Sequence, residues 1–300
     1  MHLFLVPTVQ SLLANCAIES VDARIILSHL CSTHLGWPRT YLITHNTNEL
    51  PTALIEHWQE LLQKRLLGLP VAYLIGKKNF HDIELQVNAH VLIPRPETEL
   101  LVEFAISHIE SIFNSPNSVF TPLSPMRCLD LGTGSGAIIL ALASYFKKIP
   151  DVFPCLNFFA SDISLQAIDL AKLNSKNLDL HKNITFFKSN WFSNFPNHLS
   201  FDLVLSNPPY IASDDTHLSH GDLRFEPKLA LTDGFDGLNA YRLILKSLSR
   251  YLNSGAIVVF EHGFEQAVAI QCLLQDHDFI GVLTKKDFSG SNRITFAQSK

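Results

Sequence analysis

The sequence predicts an α/β protein: a mostly parallel seven-stranded sheet covered by helices and closed by an antiparallel C-terminal hairpin, preceded by a small helical domain. Three observations predict it. From about residue 126 onward, strand-like and helix-like segments alternate, which argues for a parallel sheet with helices on both faces. The first 75 residues carry their apolar side chains at helical spacing. The tail, "FIGVLTKKDFSGSNRITFA", breaks the alternation with two strands around a turn.

In the first segment, Ala23, Ile26, Leu27, Leu30 and Cys31 share one helical face and Gly36 is a stop. Leu54, Trp58, Leu61, Leu62 and Leu66 repeat the period, closed by Gly68 and Pro70, with "HNTNELP" between the two helices. Residues 1–75 thus read as a helical domain. The period then drops to two: Phe80, Ile83, Leu85 and Val87, followed by Val91 to Ile93 after Asn88-Ala89-His90, predict a hairpin linker over 76–95. The main domain, 96–300, opens on a helix with Pro96 in its first turn and Glu97 and Glu99 near its positive end. A Ser/Pro/Asn-rich loop covers 114–125. The alternation then runs "RCLDL", helix 136–147, "LNFFAS", helix 164–175, "ITFFK", "FDLVLS", helix 238–252, "AIVVFE", helix 264–275.

Composition narrows the class. With 47% hydrophobic and 17% charged residues, the 300-residue chain is globular rather than disordered. No apolar run approaches the roughly 18 residues of a membrane span. "MHLFLVPTVQ" has no Lys or Arg before its apolar patch, so no signal peptide is expected and the cytoplasm is the default. Cys16, Cys31, Cys128, Cys155 and Cys272 are irregularly spaced without a C-x-x-C pair, and are expected to be reduced and structural. With no H-E-x-x-H among the histidines either, no metal is expected. A formal net charge of −5 and no Lys/Arg stripe weigh against nucleic acid as the main partner.

The chemistry concentrates at strand ends. "LDLGTGSGAIILALA" places Asp130, Gly132, Gly134 and Gly136 between a strand and a helix, where glycines admit a ligand to the backbone and helix N–H groups are free. Gly132, Gly134 and Ala137 also satisfy G-x-G-x-x-G/A, so a nicotinamide dehydrogenase stays open at this point. Asp162, ending the next strand, can accept from both hydroxyls of a ribose, or can instead cap the following helix. Trp191 can line an adenine pocket. "VLSNPPYI" then ends the fourth strand in Asn207, two prolines and Tyr210. Two prolines fix two φ angles and hold the preceding Asn207 extended. The Asn207 oxygen and the Pro208 carbonyl can grip the two hydrogens of a planar –NH₂ group, with Tyr210 over its plane. Hydride transfer needs no such grip; methylation of a conjugated nitrogen does.

"DLGTGSG" followed by "NPPY" resembles a class I, Rossmann-like S-adenosylmethionine-dependent methyltransferase acting on planar nitrogen, a set that includes adenine-specific DNA methyltransferases and protein glutamine methyltransferases. "PVAYLIGKKNF", "VLIPRPETELL", "RFEPKLALTDGFDGLNAYR" and "EHGFEQ", with the likeness continuing into "VDARIILSHL", resemble the release factor glutamine methyltransferase (PrmC/HemK) family. "IPRPETE" points to it over the ribosomal-protein glutamine methyltransferases, and no basic insertion resembles a DNA target-recognition domain. The resemblance implies methylation of the glutamine amide in the Gly-Gly-Gln loop of class I peptide chain release factors; no DNA or membrane partner is expected, and the protein is expected to be a monomer. It implies that Gly132, Thr133, Gly134, Ser135, Gly136, Asp162, Trp191 and Asn207 hold the cofactor. Asn207, Pro208, Pro209 and Tyr210 then hold the substrate, with Asn207, Pro208 and Tyr210 catalytic and no catalytic histidine. Arg95, Glu97 and Glu226 shape the cleft or form a structural ion pair. Asn190 and Asn292 depart from the family pattern, which carries acidic residues there.

Overall fold

The structure, a computed structural model, describes residues 7–300; most of the apolar patch weighed as a signal peptide lies outside them. The chain forms two compact units, one running to Lys77 and including His220–Phe225, the other comprising Lys78–Ser219 and Glu226–Lys300.

The first unit contains α1 (Val9–Ala14), α2 (Ser20–Leu35), α3 (Tyr41–Thr44), α4 (Thr52–Leu66) and α5 (Val71–Ile75). Ala23, Ile26, Leu27, Leu30 and Cys31 of α2 are buried in one cluster with Leu54, Trp58 and Leu61 of α4. Gly36 ends α2 at φ 66°, its N–H reaching the Ser32 and Cys31 carbonyls. That left-handed conformation strains residues with a Cβ. Leu66, expected inside, is 49% exposed. The buried row 54, 58, 61 continues at Arg65 instead, whose guanidinium binds Asp22 at 2.7 Å and Asp222 at 2.9 Å.

In the second unit β1 (Lys77–Phe80) and β2 (Ile83–Gln86) form a hairpin turning at His81, φ 51°. The expected pairing of 83–87 with 91–93 is therefore wrong by one strand. Val91–Ile93 cannot join a ladder because its N–H groups are committed elsewhere: Val91 to the Asn88 carbonyl at 3.2 Å, Ile93 to the Glu226 carboxylate at 2.9 Å. A 3₁₀ turn, Pro96–Thr98, leads into α6 (Glu99–Phe113).

The alternating region gives β3 (Met126–Leu131), α7 (Ala137–Lys147), β4 (Leu156–Asp162), α8 (Leu165–Asn177), β5 (Ile184–Lys188) and β6 (Phe201–Ser206). It continues with α9 (Lys228–Leu231), α10 (Asn239–Leu248), β7 (Leu252–Glu261), α11 (Ala267–Asp276), β8 (Ile280–Lys286) and β9 (Asn292–Gln298). The seven strands run in the order β5-β4-β3-β6-β7-β9-β8. They are parallel up to β7; β9 is antiparallel to both β7 and β8. The period of two sorts the side chains: Cys128, Phe158 and Leu203 pack with α6 and α7, while Leu129, Phe159 and Val204 pack in a separate cluster with α10 and α11. Burial on both faces explains why these strands read as unbroken apolar runs.

Candidate functional site

After β3 the chain adds β4 and β5 on one side, then returns to place β6 on the other. The C-terminal ends of β3 and β6 thus flank the point where strand order reverses, the crevice in which open α/β sheets bind ligands. Leu131 is in register with Ser161 and with Ser206, and the Ser206 hydroxyl donates to the Leu131 carbonyl at 2.7 Å. Gly132, Asp162 and Asn207 are therefore each the next residue beyond three adjacent strand positions.

The glycine loop is held from below. Gly132 and Thr133 both donate N–H to the Ser161 carbonyl at 2.9 Å. The Thr133 hydroxyl donates to Asp130 Oδ2 at 2.6 Å, and Asp130 Oδ1, fully buried, has no hydrogen-bond partner. Burial pushes the Asp130 carboxyl up to about 7. Asn174 of α8 donates to the Ser135 carbonyl at 2.9 Å, a support that sequence reading missed. Gly134, at φ 56°, has nothing within 4 Å of where a Cβ would stand, so it borders open space. Gly136 differs: a Cβ there would come within 2.7 Å of Leu140 Cδ1, so its role is close packing of loop and helix.

Asp162 takes the Gly134 N–H on one oxygen and the Ser164 N–H on the other, both at 2.9 Å, and burial raises its pKa. The cap of α8 is Ser164, whose hydroxyl accepts from the Ala167 N–H, so Asp162 is not the cap. Trp191 lies with its ring 3.6 Å from the position of a Gly132 Cβ, on a backbone at φ 49°. Between these groups opens a cavity of about 510 Å³, lined by Gly132, Thr133, Gly134, Ser135, Asp162, Trp191, Asn207 and Pro209, and also by Thr98 and Arg95.

Gly136, Pro208 and Tyr210 do not line that cavity. Pro208 is buried, and Tyr210 packs with the apolar cluster beneath α10 and α11, its phenol pushed up to about 12 by burial. The Tyr210 carbonyl accepts from Gln266 Nε2 at 3.0 Å, and a Cβ on Gly237 would stand 2.3 Å from that carbonyl. The Asn207 amide nitrogen donates to the Thr98 hydroxyl at 3.1 Å, leaving its oxygen as the accepting end. Arg95 forms an ion pair with Glu226, whose side chain is wholly buried and also accepts the Ile93 N–H; the structural reading of this pair is the one seen. Sequence reading did not single out Thr98 and Gln266, although both lie inside the quoted segments "VLIPRPETELL" and "EHGFEQ". Their roles emerge only from distant partners.

The residues fit an adenosine-bearing cofactor. Open space faces Gly134, a carboxylate able to bind a ribose ends the next strand, and an indole forms a wall.

A model described as PrmC N-terminal domain matches residues 8–76 and one described as methyltransferase domain matches 123–282. Curated relatives include the release factor glutamine methyltransferase of Aliivibrio fischeri, 37% identical over 97% of this chain and 94% of that protein. That of Burkholderia pseudomallei is 39% identical over 95% and 94%. Among solved structures, the catalytic domain of hMettl16 superposes with a TM-score of 0.51 at 16% identity, over 72% of this chain and 74% of that chain, a likeness of fold alone. The chain belongs to the release factor glutamine methyltransferase family.

Proposed function

We propose that this protein methylates the side-chain amide nitrogen of the glutamine in the Gly-Gly-Gln loop of class I peptide chain release factors, with S-adenosylmethionine as donor. The observation that carries the reading is the polarity of Asn207. Its nitrogen is engaged by Thr98, so its oxygen is the accepting end, at a strand end that borders the cavity beside the glycine loop. A substrate amide offers two N–H donors: the Asn207 oxygen, which borders the cavity, answers one, and the adjacent Pro208 carbonyl would have to be reached past the cavity wall to answer the other, since Pro208 itself is buried and does not line the cavity.

Gly132 to Ser135, Asp162 and Trp191 would hold the cofactor, with Asp162 toward the ribose and Trp191 toward the adenine. When bound, it supplies an electrophilic sulfonium methyl group. The protein's part is mainly placement, because an amide nitrogen is a weak nucleophile whose lone pair is delocalised into its carbonyl. Positioning of this kind lowers barriers by up to about 7–11 kcal/mol. The Asn207 and Pro208 oxygens also favour positive charge developing on nitrogen, worth about 3 kcal/mol per well-placed dipole in a dry site. No general base is required, since the methylated nitrogen is far more acidic and loses its proton late.

On this reading the helical first unit docks the release factor, the enzyme works as a monomer on protein rather than DNA, and it resides in the cytoplasm. No helix among the described residues is long and apolar enough to cross a membrane. The test is incubation with methyl-labelled cofactor and a release factor, with duplex DNA in parallel, and mapping of the label by mass spectrometry. Label on the glutamine of Gly-Gly-Gln is the expected result. Label in DNA, or none in the release factor, overturns the proposal, the latter in favour of a non-catalytic module.

A further inference from the structure

The segment "EHGFEQ" ends β7 and leads into α11, yet none of its residues lines the cavity. What it does is visible in the hydrogen bonds of Gln266. Its Oε1 accepts from the Gly263 N–H at 2.9 Å, and its Nε2 donates to the Tyr210 carbonyl at 3.0 Å and to the Gly237 carbonyl at 3.2 Å. The two ends of a glutamine amide have nearly the same shape and are often interchangeable. Here they are not, because a backbone N–H only donates and a carbonyl only accepts. Both hydrogens and the oxygen of this amide are engaged with backbone.

We infer that Gln266 is a positioning residue for methyl transfer, bolting together two walls of the cavity in which the substrate amide is held, a role that rests on the functional reading above. One wall is Asn207 and Pro209, just ahead of Tyr210; the other is Thr232, Asp233 and Gly234, resuming at Asn239. Gln266 reaches the first through the Tyr210 carbonyl. Pro208 and Pro209 fix φ but leave ψ free, so the segment needs a hold at each end. Ser206 supplies one by its bond to Leu131, and Gln266 supplies the other. The second wall is reached through Gly237, whose N–H donates to Asp233 at 3.1 Å. Asp233 also accepts the Phe235 and Asn239 N–H groups, at 2.8 Å and 2.7 Å, so this loop moves as one piece with Gly237.

The anchor of Gln266 is itself braced. The Gly263 carbonyl accepts from the Gln266 backbone N–H at 2.9 Å and from His262 Nδ1 at 2.8 Å. Nδ1 carries a proton there, because a carbonyl supplies none. His262 is fully buried, with Nε2 2.8 Å from the Thr295 hydroxyl of β9, which meets the Thr284 hydroxyl of β8 at 2.7 Å. The antiparallel hairpin thus steadies Gly263, Gly263 orients the Gln266 amide, and Gln266 holds both walls. The walls meet backbone to backbone: a Cβ on Gly237 would also stand 2.9 Å from Gln266 Nε2, so no side chain fits between them. "EHGFEQ" therefore acts on the site without entering it.

The experiment compares wild type with Gln266→Glu, which keeps the shape but turns a carboxylate oxygen toward two carbonyls, and with Gln266→Ala, which leaves those carbonyls to water. Label transfer to a release factor gives kcat and KM, calorimetry gives cofactor affinity, and urea unfolding gives stability. NMR without substrate reads hydrogen exchange of the wild-type Gln266 side-chain amide and the Asn207 side-chain amide signals of all three proteins. Both Gln266 amide protons should exchange at least about 10-fold more slowly than those of an exposed glutamine. Gln266→Glu should lose about 10- to 100-fold in kcat, the scale of a misplaced reacting group, with cofactor affinity within about threefold and the Asn207 signals displaced. Should Gln266→Glu not fold, Gln266→Ala must show the same losses in the same direction. A lowered urea midpoint with unchanged kcat in a folded variant is the mark of a merely structural tie and overturns the inference. Wild-type exchange as fast as in an exposed glutamine, a read-out that needs no variant, overturns it as well. Absence of transfer by wild type tells against the functional reading alone, while the Asn207 signals still decide whether Gln266 positions that side chain.

Discussion

On the proposed reading, replacing Asn207 with alanine removes the acceptor for the substrate amide. The fold loses little: Asn207 is half-buried and its side chain makes one hydrogen bond, to Thr98, worth about 1 kcal/mol net. The backbone stays extended, because Pro208 still follows and restrains it. Turnover loses more. One preorganised dipole contributes about 10²–10³ in kcat, and loss of placement up to about another 10², so a decrease of about 10³- to 10⁴-fold is expected. Cofactor affinity should stay within about tenfold, because the glycine loop, Asp162 and Trp191 are untouched. Label transfer to a release factor gives the rate, and isothermal titration with S-adenosylmethionine gives the affinity. Turnover within tenfold of wild type would refute the argument, and so would a lost rate explained wholly by lost cofactor binding.

Asp162→Ala should act in the opposite sense. It removes the acceptor for the Gly134 and Ser164 N–H groups along with the proposed ribose contact, so titration should show cofactor affinity weakened about 100-fold, with kcat at saturation changed far less. Two glycines should separate stability from binding. Gly136→Ala, left-handed and 2.7 Å from Leu140 Cδ1, should destabilise by about 2–4 kcal/mol in urea unfolding, whereas Gly134→Ala, also left-handed at φ 56° but with room for its Cβ, should cost only the backbone strain of about 1–2 kcal/mol and in addition weaken the cofactor. Glu226→Ala leaves Arg95 unpaired and the buried Ile93 N–H unmet, and should cost about 3–5 kcal/mol by the same measurement. Stability should also fall as pH rises from about 6.5 to 8 without cofactor. Asp130 and Glu261 are held at about 7 in the folded state, against about 4 for an ordinary carboxyl, so the folded state binds more protons in the intervening window. Urea midpoints at the two pH values measure the decline, about 1 kcal/mol per group, and Asp130→Asn should remove its share.

What the sequence revealed follows from what is local. Strands buried on both faces announce themselves as apolar runs, and the residues that follow β3, β4 and β6 are placed by chain order alone. Helices α1, α3 and α5 were not legible because six, four and five residues are too few to show a period. The hairpin was misassigned because Val91–Ile93 looks like a strand, yet its hydrogen bonds go elsewhere: Ile93 reaches Glu226, 133 residues away. Thr98 meets Asn207 across 109 residues and Gln266 meets Tyr210 across 56. A sequence segment shows that such residues are present, but their pairing is a property of the folded chain.

That pairing changes the source of the rigidity at "NPPY". Two prolines fix φ but donate nothing, so by themselves they would leave the segment hanging from the end of β6. The structure anchors it residue by residue instead. Ser206 is tied to Leu131, Asn207 to Thr98, the Tyr210 carbonyl to Gln266, and the Ile211 N–H to the Leu231 carbonyl. Only the two prolines lack a hydrogen bond to the frame, and there φ is already fixed by the ring. The missing N–H groups also remove two possible competing donors from the segment around the Pro208 carbonyl. On the proposed reading, an acceptor pair for an amide gains from both properties, fixed position and fewer competing donors, and an N–H-bearing residue at 208 or 209 would weaken each.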